Sequence, residues 1–144
     1  MPEATTHEAP DARQPVFQSY IQREADVADA VRHVRRAAEK LGFSAVNCCY
    51  IATAASELAT NLVIHAAGGT FTIDADHHAH RLEIVTQDVG PGIPDIAQAL
   101  RDGFSTSGGL GCGLPGVKRL MDGLEVESEV GKGTRIRAWK QLAG

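Results

Sequence analysis

An α+β fold is predicted for this chain: a two-layer sandwich in which a mainly antiparallel sheet carries helices on one face. Two long segments place their apolar residues at helical spacing. The remaining apolar runs are short, strand-like and joined by tight turns, the pattern of hairpins and not of alternating parallel units. The size agrees. At 144 residues, with 43% apolar and 22% charged residues, the chain suits one soluble domain with a sizeable core.

Residues 1–15 hold three prolines and little periodicity, so a disordered arm is expected there, with the folded domain running from 16 to 144. VFQSYIQ, 16 to 22, reads as the first strand. Val27, Ala30, Val31, Val34, Ala38 and Leu41 then recur on one helical face, and Gly42 stands where a helix ends. Ser44 suits the cap of a second helix, which carries Ile51, Ala55, Leu58 and Leu62 on one side and stops near Gly68 and Gly69. FTIDA and RLEIVTQ are strands around a histidine-rich tip. DIAQALRD and LPGVKRLMD are short helices, and LEVESEV, GKG and TRIRAWK form a closing hairpin with GKG as its turn.

Several function classes are disfavoured. No apolar run reaches membrane-spanning length, and the acidic, polar N-terminus is unlike a signal peptide, so a cytoplasmic protein without membrane contact is expected. The net charge of −4 argues against a general nucleic-acid binder, although Lys118, Arg119, Lys132, Arg135, Arg137 and Lys140 make the last quarter locally basic. Cys48 and Cys49 are adjacent and Cys112 is remote from them, which suits free thiols better than a disulfide framework. His77, His78 and His80 crowd one segment, but a hairpin tip explains them more simply than a metal site.

Four stretches carry the chemistry. In SELATN, Glu57 and Asn61 are one helical turn apart and share a face, offering a base and a hard-oxygen ligand for Mg²⁺. DVGPGI places Asp88 at a strand end, ahead of Gly90, Gly92 and Ile93. That carboxylate can accept from an exocyclic amine beside backbone that leaves room for a flat ring. The third stretch, STSGGLGCGLPG, is so rich in glycine that it suggests a loop closing on a ligand, phosphate first, ahead of a helix start. Gly111, Gly113 and Gly116 satisfy the dinucleotide fingerprint G-x-G-x-x-G, but the polar run before Gly111 is not the strand that fingerprint requires. The spacing of a nucleotide-triphosphate P-loop is missed altogether. Last, GKGT brings Thr134 to the opening of the final strand.

In this order, the four stretches resemble the nucleotide-binding boxes of the ATP-binding domain shared by gyrase, Hsp90, histidine kinases and MutL, the Bergerat fold, over about residues 16 to 142. SELATN with DGFSTSGGLGCGLPGVKRLMD is similar to the bacterial anti-sigma-factor serine/threonine kinases, and within them to the switch kinases of stressosomes. The resemblance implies ATP and Mg²⁺ as cofactors. It implies Glu57 as general base, Asn61 as Mg²⁺ ligand, and Asp88 with Thr134 at the adenine amine. Gly90, Gly92 and Ile93 would lie beside the ring, while Ser107, Gly108, Gly109, Leu110, Gly111, Gly113 and Leu114 would fold over the phosphates. Cys112 departs from the small non-thiol residue usual there, which leaves backbone phosphate contacts unaffected but would make that loop sensitive to oxidation.

The implied activity is phosphorylation of a serine or threonine on a STAS-domain partner, with a sigma-pathway phosphatase as a possible second partner that binding would activate. Chain length supports an acceptor on another protein: no second domain fits to turn hydrolysis into motion, and His33, followed by Val34, is a poor internal acceptor. The other expectation is a module that sequesters its partner and holds ATP as a structural ligand.

Overall fold

The computed structural model describes residues 13–101 and 113–142. Five strands, β1 (Arg13–Ile21), β2 (Gly69–Asp76), β3 (Arg81–Asp88), β4 (Gly123–Glu129) and β5 (Gly133–Gln141), form one sheet in the order β1-β2-β3-β5-β4. Every neighbouring pair is antiparallel. Two long helices, α1 (Glu24–Leu41) and α2 (Ala45–Ala66), one turn of α3 (Ile96–Ala99) and α4 (Gly113–Leu120) complete the described fold. The expected two-layer α+β sandwich is what is found.

Alternation along the strands explains the layering. Phe71 and Ile73, Leu82 and Ile84, and Ile136 and Ala138 face the helices and are buried with Val34, Ile51, Leu58 and Val117. Each large side chain so buried contributes about 1.5–3 kcal/mol. On the other face Trp139 lies between the guanidinium groups of Arg81 and Arg137, 5.3 and 5.1 Å from its ring. Gly123, its neighbour on β4, is bare, and a Cβ there would overlap the indole.

Local signals set the helix ends. The Asp26 carboxylate accepts from the N–H groups of Gln22 (2.9 Å) and Arg23 (3.1 Å), which starts α1 and holds that carboxyl below its usual range. Gly42 ends α1 in the left-handed conformation at φ 101°. Ser44 Oγ accepts from Asn47 N–H at 3.1 Å and caps α2, as expected. No helix among the described residues is long and apolar enough to cross a membrane.

The boundaries differ from expectation in three places. β1 begins at Arg13, inside the stretch read as an arm, while residues 1–12 lie outside the described residues. Pro15 discouraged a strand there. β1 is an edge, however, and the register shifts between Pro15 and Phe17, so the missing N–H is tolerated. The helix read in DIAQALRD is a single turn, capped by Asp95 Oδ1 accepting from Gln98 N–H at 3.0 Å. Finally, the turn of the closing hairpin is Val130–Lys132, not GKG, because Glu129 pairs with Gly133.

Gly133 has φ 121°, and a Cβ on it would overlap the Asp88 carbonyl oxygen, whereas at Gly131 (φ 83°) a Cβ meets open space. Gly133→Ala should therefore lower stability by at least about 2 kcal/mol, and Gly131→Ala by only about 1 kcal/mol. Thermal unfolding of the two variants checks this, with equal midpoints counting against the close approach.

Candidate functional site

α2 supplies the first half of the site. Alanines at 52, 54, 55 and 59, together with Cys48, Ile51, Leu58 and Leu62, bury most of this helix against α1 and the sheet. Glu57 and Asn61, one turn apart, are left half-buried. Glu57 Oε1 accepts a hydrogen bond of 3.0 Å from the backbone N–H of Gly113, the first residue of α4. A carboxylate at a helix start meets unsatisfied N–H groups and the positive end of the helix dipole, so the contact is favourable. It also brings the candidate base to the helix terminus that the glycine-rich stretch leads into, where an anion would be received.

Leu114 and Pro115 follow Gly113 and are buried, and Pro115 sits in the first turn, where a missing N–H does no harm. The other end of α4 is held by Lys140, which donates from Nζ to the Leu120 carbonyl at 2.7 Å and lies 3.8 Å from Asp122 Oδ1. α4 is thus fixed at one end by Glu57 and at the other by β5.

The second half of the site forms where β3 ends. Asp88 lies directly opposite Thr134 of β5, and Thr134 opposite Ser128 of β4, so three polar residues stand in a row across three strands. Gly90 N–H donates to Asp88 Oδ1 at 2.8 Å, which tightens the turn and leaves Oδ2 for a ligand. The loop after Asp88 is tied to the hairpin: Ile93 N–H donates to Ser128 Oγ at 2.7 Å, and Gly131 N–H to the Pro91 carbonyl at 2.8 Å.

Bare backbone here serves close packing within the chain. A Cβ on Gly92 (φ 83°) would come within 2.5 Å of the Glu129 carbonyl oxygen, and one on Gly90 within 3.0 Å of Ala66 Cα. The latter contact seats the end of α2 against the end of β3. Asn61 lies between Glu57 and Ala66 along α2.

The structure accordingly gathers Glu57, Asn61, Gly113 and Leu114 on one side and Asp88, Gly90, Gly92, Ile93 and Thr134 on the other. Ser107, Gly108, Gly109, Leu110 and Gly111 lie outside the described residues, as does Cys112. Ser128 is the residue the sequence reading missed. Only the register of the closing hairpin could have revealed it.

The remaining candidates fall elsewhere. His77–His80 form the tip of the β2–β3 hairpin, where Asp76 Oδ1 accepts from the N–H groups of His78 and Ala79. Cys48 is buried, which pushes its thiol pKa up, and Cys49 is exposed on α2. Among the described residues no three His, Cys, Asp or Glu side chains gather to hold a metal ion. One amide and one carboxylate oxygen on α2 suit Mg²⁺ only if nucleotide phosphates supply further ligands, the usual manner of Mg²⁺ binding.

The sequence and the fold are similar to those of known proteins. Residues 50–144 match the family model of histidine kinase-, DNA gyrase B- and HSP90-like ATPases. The chain is 49% identical to the serine/threonine-protein kinase RsbT of Bacillus subtilis over 124 residues, covering 85% of this chain and 93% of that protein. It is 39% identical over 98 residues to the anti-sigma F factor of Thermoanaerobacter sp., covering 64% and 68%. Among solved structures, the mycobacterial sensor histidine kinase MprB superposes with a TM-score of 0.51 at 17% identity, over 87% of this chain and 97% of that one, a likeness of fold.

Proposed function

The chain belongs to the histidine kinase-, DNA gyrase B- and HSP90-like ATPase family, and from that premise we propose that it is a serine/threonine protein kinase. Its substrate would be a STAS-domain protein of a partner-switching, stressosome-type stress response, and its phosphoryl donor ATP with Mg²⁺. The similarity to RsbT over most of both chains supports the kinase class. The observation that carries the reading is the placement of Glu57: a carboxylate one turn from Asn61 and 3.0 Å from the first N–H of α4.

In this reading Asp88 and Thr134 hold the adenine amine, and the start of α4 with the glycine-rich stretch receives the phosphates. Asn61 would hold Mg²⁺, which supplies neutralisation of phosphate charge when bound. Glu57 takes the proton of the acceptor hydroxyl as its oxygen bonds to the γ-phosphorus. The bond from that phosphorus to the bridging oxygen breaks, and ADP leaves with that oxygen. Positioning and electrostatics supply most of the acceleration in such a transfer, so no nucleophilic cysteine or serine is required of the enzyme.

A second reading, an ATP-holding module that sequesters its partner, draws on the similarity to anti-sigma F factors and on the hydrogen bond that engages Glu57. Incubation with [γ-³²P]ATP, Mg²⁺ and purified STAS-domain proteins discriminates the two. Label on a serine or threonine of the partner is expected. ATP-dependent complex formation with no label in any partner would favour the sequestering module. Release of the partner after labelling, and capture of a sigma-pathway phosphatase by the freed kinase, would extend the reading to partner switching.

A further inference from the structure

Ser128 Oγ stands at the centre of three contacts. Ile93 N–H donates to it at 2.7 Å, the Gly133 carbonyl lies at 3.1 Å, and Thr134 Oγ1 at 2.8 Å. A hydroxyl has one proton and two lone pairs. The Ile93 N–H takes one lone pair. A carbonyl can only accept, so the Ser128 proton goes to Gly133. The contact with Thr134 must then use the second lone pair of Ser128, with Thr134 as donor. This is the one assignment in which all three contacts are hydrogen bonds.

The consequence falls on Thr134. With its proton committed to Ser128, its oxygen has only lone pairs for a ligand. Asp88, directly opposite on β3 and on the same face of the sheet, also offers an acceptor through Oδ2. We propose that Ser128 is a positioning residue for nucleotide selection: it fixes the proton of Thr134 so that this end of the pocket presents acceptors only, which favours a 6-amino purine and disfavours a 6-oxo purine. The proposal rests on the reading of Asp88 and Thr134 as the adenine end of an ATP site. Without Ser128 the Thr134 hydroxyl can rotate and donate to a 6-oxo group, which weakens the discrimination.

The test is the ratio of ATP to GTP affinity, measured by calorimetry with Mg²⁺ on the full chain. Ser128→Ala should lower that ratio by about fivefold or more, the scale of one hydrogen bond reversed. Ser128→Thr, which keeps the hydroxyl, should restore it. A purely structural role would weaken both nucleotides alike, so an unchanged ratio in Ser128→Ala overturns the proposal. Where Ser128→Ala unfolds, Ser128→Cys keeps the shape with only a weakly hydrogen-bonding thiol, and the same fall in ratio is expected. Failure of the underlying reading looks different: the wild-type chain would then bind neither nucleotide, or would bind ATP no more tightly than Asp88→Asn does.

Discussion

Glu57→Gln is expected to slow phosphoryl transfer to the partner by about 10²–10⁴-fold while leaving ATP binding intact, the usual loss for a removed general base. The structure makes this a clean substitution. Glutamine keeps an Oε1 able to accept from Gly113 N–H, so α4 keeps its contact with α2 and only proton acceptance is lost. Glu57→Ala removes both and should in addition loosen the start of α4, at about 1 kcal/mol for the lost hydrogen bond. Asn61→Ala should behave differently from either. It deletes the proposed Mg²⁺ ligand and so should lower nucleotide affinity together with turnover. Single-turnover transfer of ³²P combined with calorimetry separates these outcomes. A Glu57→Gln protein that labels its partner at the wild-type rate would mean that the acceptor hydroxyl needs no base from this position.

Asp88→Asn should weaken ATP binding by roughly 5- to 150-fold, the equivalent of about 1–3 kcal/mol for a mismatched polar group. The amide can keep its oxygen toward Gly90 N–H, so the turn after β3 is retained. What changes is the other atom, an acceptor that becomes an NH₂ donor, which in the proposed site would face the amine of adenine. Because the turn survives, thermal stability should move little while affinity falls. Calorimetric titration with ATP and a melting curve on the same sample measure both. Unchanged affinity would remove Asp88 from the adenine site.

Much of the layout of the candidate site was legible because it follows from local spacing. The four-residue spacing of Glu57 and Asn61 puts them on one helical face in any helix, and Ser44, a serine ahead of a periodic apolar series, caps that helix as such residues do. Asp88 at the end of an alternating apolar run could be placed at a strand terminus without further information. Pro15 misled at the same level, since its effect depends on whether the strand is an edge, and sheet order is not a local property.

The sequence by itself determined the layer architecture, the helix that carries Glu57 and Asn61, and the strand that ends in Asp88, because helical and strand periodicities and caps act over a few residues. Only the tertiary structure decided that Glu57 meets Gly113, 56 positions away, because that contact depends on how α4 packs on α2. It alone also set Ser128 beside Thr134. Taking GKG as the turn puts Val130 opposite Thr134, whereas the observed turn, one residue earlier, puts Ser128 there. A slip of two residues leaves the same side chains on each face, so the alternation of β4 cannot tell the two pairings apart; the register was fixed by the backbone contact of Gly133 with Asp88 and the bond from Ile93 to Ser128, both made across the fold.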